Sequence, residues 1–515
     1  MEQVVIAGGG PVGLWLAAEL RLYGIPVTVL ESRTEPDPHS RALTLHPRTL
    51  ELLACRGLVE PFLAEGLKIP SGHFAALPDR MDFTELDTPF PFTLALPQAR
   101  TEALLAAHAE AVGVRLLRGH RVTGLAQDGD AVTVDVEGPQ GERHLRAAYL
   151  VGCDGTRSTV RTAAGIDFPG TDATAWAWMA DVVLDEPPHR RSVSNAQGAV
   201  MVWPLPGGVH RVVGNDAESV RTRPGTPTFE ELRAKVRRIA GTDFGMRDPG
   251  WLSSFGNATR QAAQYRKGRV LLAGDAAHMH FPSGGPGLNV GLQDAANLGW
   301  KLAQTLSGTA PAGLLDSYHT ERHPVGAELL RSTRAQTGLM TSYTPETLAL
   351  RELIGELITT VGEFSTELAN RVAGLAVAYP PAASAAAHPL TGTRAPDLAL
   401  AGTGSLFGLL RPGRFVLLDL TGRLGGDLAP PAPLAALAHR TGPGLDVHSA
   451  PPVEGRAHWP GVSAALVRPD GHLAWLSRET DPQALLTAAR HAVAATVVTP
   501  VAGAAAPVGV VAAEV

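Results

Sequence analysis

Gly8-Gly9-Gly10-Pro11-Val12-Gly13 has the spacing G-x-G-x-x-G, between a short apolar run (residues 4–7) and a segment with apolar residues at helical spacing. Each glycine then has its own task. Gly8 permits a tight turn, Gly10 lets the backbone approach a pyrophosphate, and Gly13 lets strand and helix pack closely. A helix opening at Pro11 directs free N–H groups and the positive end of its dipole at phosphate oxygens. Glu31 ends the next apolar run, VTVLE, at a distance that suits an acid accepting hydrogen bonds from a ribose. Strand, glycine turn, helix, strand and acid together predict dinucleotide binding.

Two more glycine turns follow buried-looking strands. GCDGTRSTVR (residues 152–161) reads either as a turn capped by Asp154 or as a ligand contact. In RVLLAGDAAHMHFPSGGPGLN (residues 269–289) a strand ends at Gly274-Asp275, and a loop with Gly284, Gly285, Gly287 and Gly291 opens a long helix. Such a loop presents N–H groups to an anionic or electron-rich edge. Asp275 cannot favour a phosphate, which leaves it as a helix cap or as an acceptor from sugar or ribityl hydroxyls.

The elements that must position these turns predict an α/β chain. Residues 1–70, 98–165 and 266–376 read as a nucleotide-binding domain with a helical extension, residues 40–68 being helical. Residues 71–97 and 166–265 read as an interrupting sheet domain. Residues 377–395 are a Pro/Ala-rich linker, 396–495 a small α/β domain, and 496–515 a flexible tail.

The chain has 515 residues, enough for about three domains. Apolar residues at 44% and charged residues at 18% exclude a disordered chain and a coiled coil. A net charge of −6 without blocks of like charge argues against a nucleic-acid partner. Cys55 and Cys153 offer neither a disulfide framework nor metal-ligand spacing, so no metal is expected and the setting reads as cytoplasmic. No basic leader precedes the first strand, and Pro500 and Pro507 break the apolar tail, so neither a signal peptide nor a membrane span is expected. The 56 glycines and 41 prolines exceed the usual share, marking loops or close backbone approaches.

In this order, the three glycine motifs resemble those of the class A flavoprotein aromatic hydroxylases, which have the FAD fold of p-hydroxybenzoate hydroxylase. The resemblance spans residues 1 to about 375. It implies a Rossmann-like, glutathione-reductase-like βαβ domain binding non-covalent FAD, with an inserted mixed-sheet substrate domain. Gly8, Gly10, Pro11, Val12, Gly13 and Glu31 would hold the ADP half. Asp154 would lie near the pyrophosphate and help bind the nicotinamide cofactor. Asp275 would contact the ribityl or pyrophosphate region, and Gly287, Leu288 and Asn289 the flavin pyrimidine edge through backbone N–H groups. Pro282 would lie near the reacting face.

HSRALTLHPRTLELL matches the segment whose arginine, Arg41 here, contacts FAD. PQARTEALL matches the one whose glutamine, Gln98, contacts the ribityl chain, and Val122 falls at the adenine side. His46 and Arg48 read as helix-start residues. GTRAPD and LVRPDGHLAW resemble the thioredoxin-like tail domain of bacterial aromatic polyketide hydroxylases and rifampicin monooxygenase. Without a C-x-x-C, that domain implies no dithiol chemistry.

The implied activity is an NADPH- and O2-consuming monooxygenase that hydroxylates a polycyclic aromatic polyketide through a flavin hydroperoxide. The substrate would lie between flavin and inserted sheet, with Met201, Trp203 and Pro282 as walls. His73, His210 and Arg41 are candidates for a phenol-activating base. Rival readings are oxidation of a rifamycin-type antibiotic, Baeyer–Villiger insertion, and a flavin-binding partner protein without turnover. The chain is expected as monomer or homodimer.

Overall fold

The computed structural model describes residues 2–188, 192–217, 225–380, 388–422, 444–451 and 459–497. Most of the expected tail and the middle of the expected linker lie outside these residues. Strand β1 (Glu2–Ala7), helix α1 (Pro11–Leu22) and strand β2 (Val27–Glu31) form the opening βαβ unit. β1 pairs in parallel with β2 on one side and with Gly141–Gly152 on the other. Val4, Val5 and Ile6 are wholly buried, because a parallel strand inside the sheet is covered on both faces and reads as a continuous apolar run. The glycine turn sits at the carboxyl end of β1, where the chain order reverses across the sheet. Open α/β sheets bind ligands in that crevice.

A second, antiparallel sheet runs Ser192–Asn195, Gly198–Pro204, Val209–Asp216, Trp176–Leu184, Met246–Gly256. Its residues alternate. Trp178, Ala180, Val182, Val200, Val202 and Val212 pack with Leu232, Val236 and Ile239 of the helix Phe229–Ala240. Ala177, Met179, Ala199, Met201, Trp203 and Val213 face the other way, into a cavity. That helix starts with a Thr228–Glu231 capping box and stops at Gly241, φ 80°.

Three expectations need correction. Residues 40–68 are not one helix: a short strand, Thr44–Leu45, precedes helices Pro47–Ala54 and Val59–Glu65. Residues 71–97 do not join the five-stranded sheet. Ser71–His73 pairs with Arg80–Asp82, while Thr93–Ala95 pairs with Thr44–Leu45 and Leu67–Ile69. Met81 and Phe83 pack instead against Leu339, Ile358 and Ala369 of the helical extension. Gly287 and Gly291 belong to the helix Pro286–Leu306 rather than to the loop before it. An edge strand, Met246–Gly256, escaped the pattern because it contains Asp248-Pro249-Gly250, tolerable only where one side of the strand is unpaired.

The C-terminal four-stranded sheet runs Leu445–Ser449, Phe415–Asp419, Ala464–Val467, Leu473–Ser477, with the last two antiparallel to their neighbours, and the helix Pro482–Val497 follows. This is the thioredoxin-like strand order. Among the described residues no helix is long and apolar enough to cross a membrane.

Candidate cofactor and substrate site

One continuous cavity of about 760 Å³ joins the glycine turn to the antiparallel sheet. At its nucleotide end the three glycines behave differently. Gly8 has φ 104°, and a Cβ there would lie 2.3 Å from the Cys153 carbonyl oxygen. A Cβ on Gly13 would lie 2.0 Å from the Gly8 oxygen, whereas one on Gly10 meets nothing within 4 Å. Gly13 accordingly does not line the cavity, while Gly8, Gly10, Pro11 and Val12 do. Gly10 caps α1 without a side chain, which leaves first-turn N–H groups open to the cavity. Glu31 accepts the Gly9 N–H at 2.7 Å through Oε2 and the Arg33 N–H at 2.9 Å through Oε1. The acid therefore braces the loop as well as lining the cavity.

Asp154 also spends its carboxylate locally, accepting from the Ser158 hydroxyl and from Val160 N–H at 3.1 Å. Burial raises its pKa and these bonds oppose that rise. Val122 and Asp154 both line the cavity. Asp275 stands apart. It follows the strand Val270–Leu272 in a 3₁₀ turn, is exposed, and its side chain bonds to none of the described residues. A free carboxylate facing a cavity is suited to accept hydroxyl groups.

Asp294 holds that turn. Its Oδ2 accepts Gly274 N–H at 3.1 Å and His278 Nε2–H at 2.8 Å, and its Oδ1 accepts Arg322 Nε–H at 2.7 Å. Arg322 and His278 keep this buried acid below the usual carboxylate range against the opposing effect of burial.

The helix Pro286–Leu306 follows Gly285, which has φ 70°, and no side chain caps it. Gly287 and Leu288 line the cavity with first-turn N–H groups. Asn289 does not line it. Its side chain is a buried brace, with Oδ1 accepting from His46 N–H and Thr49 Oγ1 at 2.8 Å each, and Nδ2 donating to Thr44 and Gly285 oxygens at 3.1 Å each.

Gln98 ties down the opposite rim, accepting Ala42 N–H at 3.0 Å and donating to Glu102 at 2.6 Å. The neighbouring Arg41 is exposed, lines the cavity and makes no side-chain hydrogen bond or ion pair among the described residues. Its loop is gripped from the sheet domain by Arg211, which sequence reading passed over. Buried Arg211 forms a two-pronged ion pair with Asp181 at 2.7 Å per contact and donates to the Ser40 carbonyl. The signal lay in the alternation of that strand, which puts Arg211 on the same face as Val213.

Met201, Trp203, Met179, Val213, Phe255, Phe281 and Pro282 line the far end, and the Trp203 indole N–H points at Met201 Sδ, 3.2 Å away. Of the three candidate bases, His210 lies off the cavity and Arg41 is a fixed cation. His73 lines the cavity, but burial, with Arg80 and His46 nearby, lowers its pKa to about 3. Its Nδ1 accepts Ala76 N–H at 3.2 Å, so in the neutral ring the proton sits on Nε2. His73 is thus a hydrogen-bond donor rather than a base. Ala75 and Ala76, at φ 50° and 54°, hold this turn in the left-handed region, a strain found where geometry serves a site. His46 caps its helix through backbone and lines the cavity, whereas Arg48 is buried against Glu51 and the C-terminal domain.

An uncapped helix end beside an open Gly10, a free carboxylate at Asp275 and a second uncapped helix end at Gly287 fit the diphosphate, polyol and ring of FAD in turn. Comparison with known proteins gives the same answer. The FAD binding domain family matches residues 1–333, and the aromatic-ring hydroxylase C-terminal family matches residues 388–496. The chain is 45% identical over 504 residues to a 12-dehydrotetracycline 5-monooxygenase/anhydrotetracycline 6-monooxygenase of Streptomyces rimosus, covering 95% of this chain and 98% of the relative. It is 44% identical over 500 residues to a rifampicin monooxygenase of Streptomyces venezuelae, covering 95% and 98%. The solved anhydrotetracycline hydroxylase OxyS of Streptomyces rimosus superposes with a TM-score of 0.86 at 44% identity, covering 97% of this chain and 99% of that one. A nucleotide cradle that opens into an apolar chamber, with likeness to such enzymes along nearly the whole chain, places this protein in the family of FAD-dependent aromatic-ring hydroxylases, which are monooxygenases.

Proposed function

We propose that the protein hydroxylates a polycyclic aromatic polyketide, consuming one NADPH and one O2 per turnover. The balance is one oxygen atom into the ring and one into water, with NADPH supplying the electrons. The observation that carries this reading is the continuity of the cavity, which places an apolar, methionine- and tryptophan-lined chamber directly beyond the cofactor cradle. FAD supplies the redox chemistry when bound. Gly8, Gly10, Pro11, Val12 and Glu31 hold its adenosine diphosphate half, with Gly13 making room for the turn and Val122 and Asp154 alongside. Asp275 and Gln98 serve the polyol chain. The N–H groups of Gly287 and Leu288 stabilise negative charge on the ring edge, with Asn289 bracing their turn.

The remaining residues position substrate and exclude water. Met201, Trp203 and Pro282 wall the chamber, and His73 Nε2–H donates to a carbonyl or phenol oxygen on the substrate. Arg41, unpaired and at the rim, attracts anionic groups of cofactor or substrate.

Purified protein should carry FAD, and its NADPH oxidation should accelerate with the true substrate. The assay runs a panel of polycyclic phenols, quinones and rifamycins, with product masses recorded. One added oxygen on an intact aromatic ring supports the proposal. A lactone points to Baeyer–Villiger insertion, acceleration only by rifamycins favours the antibiotic-oxidising reading, and no acceleration with any compound overturns the hydroxylase assignment.

A further inference from the structure

The turn Arg468-Pro469-Asp470 of the C-terminal domain does not line the cavity, yet it enters the FAD-binding domain as a buried plug. Arg468 bridges two acids. It donates to Glu321 at 2.9 and 2.8 Å and to Asp470 at 3.1 and 2.6 Å. Glu321 also accepts from Lys301 and Asn297, each at 2.7 Å, and Asp470 accepts the Trp300 indole N–H at 3.1 Å. Through Asp470 the plug grips the long helix Pro286–Leu306 at Asn297 and Trp300, and through Arg468 it grips the helix Ser317–Thr341 at Glu321, the acid that Lys301 also binds.

The next residue on that second helix, Arg322, faces the other way along the same seam. It binds Asp294 at 2.7 Å, the Val290 carbonyl at 3.2 Å and the Tyr379 hydroxyl at 3.2 Å. Tyr379 in turn stacks on His472 of the C-terminal domain, with ring centroids 4.1 Å apart. Asp294 then holds Gly274 N–H, one residue before Asp275. Three cations (Arg468, Lys301, Arg322) face three anions (Glu321, Asp470, Asp294), all buried. Removing one member leaves an uncompensated charge and forces the seam to rearrange.

We propose that the thioredoxin-like domain, redox-inert without a C-x-x-C, is a positioning element of the flavin site, acting through Arg468. By holding Glu321 it sets the register of the two helices. That register fixes Asp294, and Asp294 fixes the Gly274–Asp275 turn and the helix whose first turn carries Gly287 and Leu288. This role rests on the FAD reading and names what orients it.

The test measures FAD dissociation constant and bound-flavin midpoint potential in the full chain. Variants are R468M, R468K, E321Q (which keeps volume but removes one charge) and L418A, a cavity in the core of the same C-terminal sheet. R468M and E321Q should weaken FAD binding by about tenfold, within the range of coupling along such networks, and shift the midpoint potential. R468K should recover part of the loss. L418A should lower Tm while leaving FAD affinity and potential at wild-type values.

Equal losses of FAD affinity in L418A and E321Q, compared at the same interval below each Tm, would overturn the proposal. So would wild-type affinity and potential in both Arg468 and Glu321 variants. Wild-type protein without FAD would overturn the cofactor reading itself, a result distinct from either.

Discussion

The carbonyl oxygen of Gly8 lies 2.0 Å from the point a Cβ on Gly13 would occupy, so the turn before α1 and the packing of that helix are one constraint. Gly10, between them, has open space on its Cβ side. Gly13→Ala should therefore cost about 1–3 kcal/mol of stability through overpacking and lose FAD as well. Gly10→Ala should change apo-protein stability by less than about 1 kcal/mol, the range of an N-cap substitution, yet abolish FAD binding. Denaturant titration of apo-protein and flavin fluorescence titration separate the two; equal destabilisation by both substitutions would contradict the assignment.

Asp275 and Asp294 make a similar contrast. Asp275 bonds to no described residue, so Asp275→Ala should leave apo stability unchanged and weaken FAD binding by about 1.5–3 kcal/mol, the worth of a hydrogen bond to a charged group. Asp294→Ala breaks a buried pair with Arg322 and should cost about 3–5 kcal/mol of stability. Unchanged FAD affinity in Asp275→Ala rejects its role.

Two buried histidines, His46 and His472, and the half-buried His73 make stability depend on pH. Burial lowers His46 to about 4, and His73 and His472 to about 3, from an ordinary 6.5. Below pH 6.5 the unfolded chain binds protons at these positions and the folded chain does not. Stability is thus fully present above 6.5 and is lost as pH falls toward 4 and 3, at about 1.4 kcal/mol per pH unit for each histidine. His73→Gln should flatten the slope between pH 6 and 5 by one histidine's share in denaturant unfolding. An unaltered slope would show that His73 is not held neutral in the fold.

Trp203 lines the cavity at the antiparallel sheet. Trp203→Ala should raise KM for a polycyclic substrate about tenfold with kcat little changed, the signature of lost uniform binding. A selective fall in kcat would instead place Trp203 against the reacting ring.

The nucleotide half of the fold was legible because its demands are local. A G-x-G-x-x-G turn needs glycine at fixed positions, and a doubly covered strand needs a continuous apolar run, so residues 2–31 carry their own explanation. The same holds for Gly274-Asp275 and for the alternation that turns Met201 and Trp203 away from Val200 and Val202. Only the tertiary structure decided where charged and polar side chains are spent. The resemblance implied a role for the backbone N–H of Asn289, whereas its side-chain amide is spent on His46 and Thr49, some 240 positions earlier. Arg211 drew no role from the sequence, and only the fold brings Asp181 and the Ser40 carbonyl onto it. His73 looked like a base until a strained alanine turn took its Nδ1. Arg468 was one letter of the LVRPDGHLAW stretch, and only the fold sets it between Glu321 and Asp470. A buried charge is stable only beside its partner, and periodicity along the chain carries no information about partners that folding brings in from a distance.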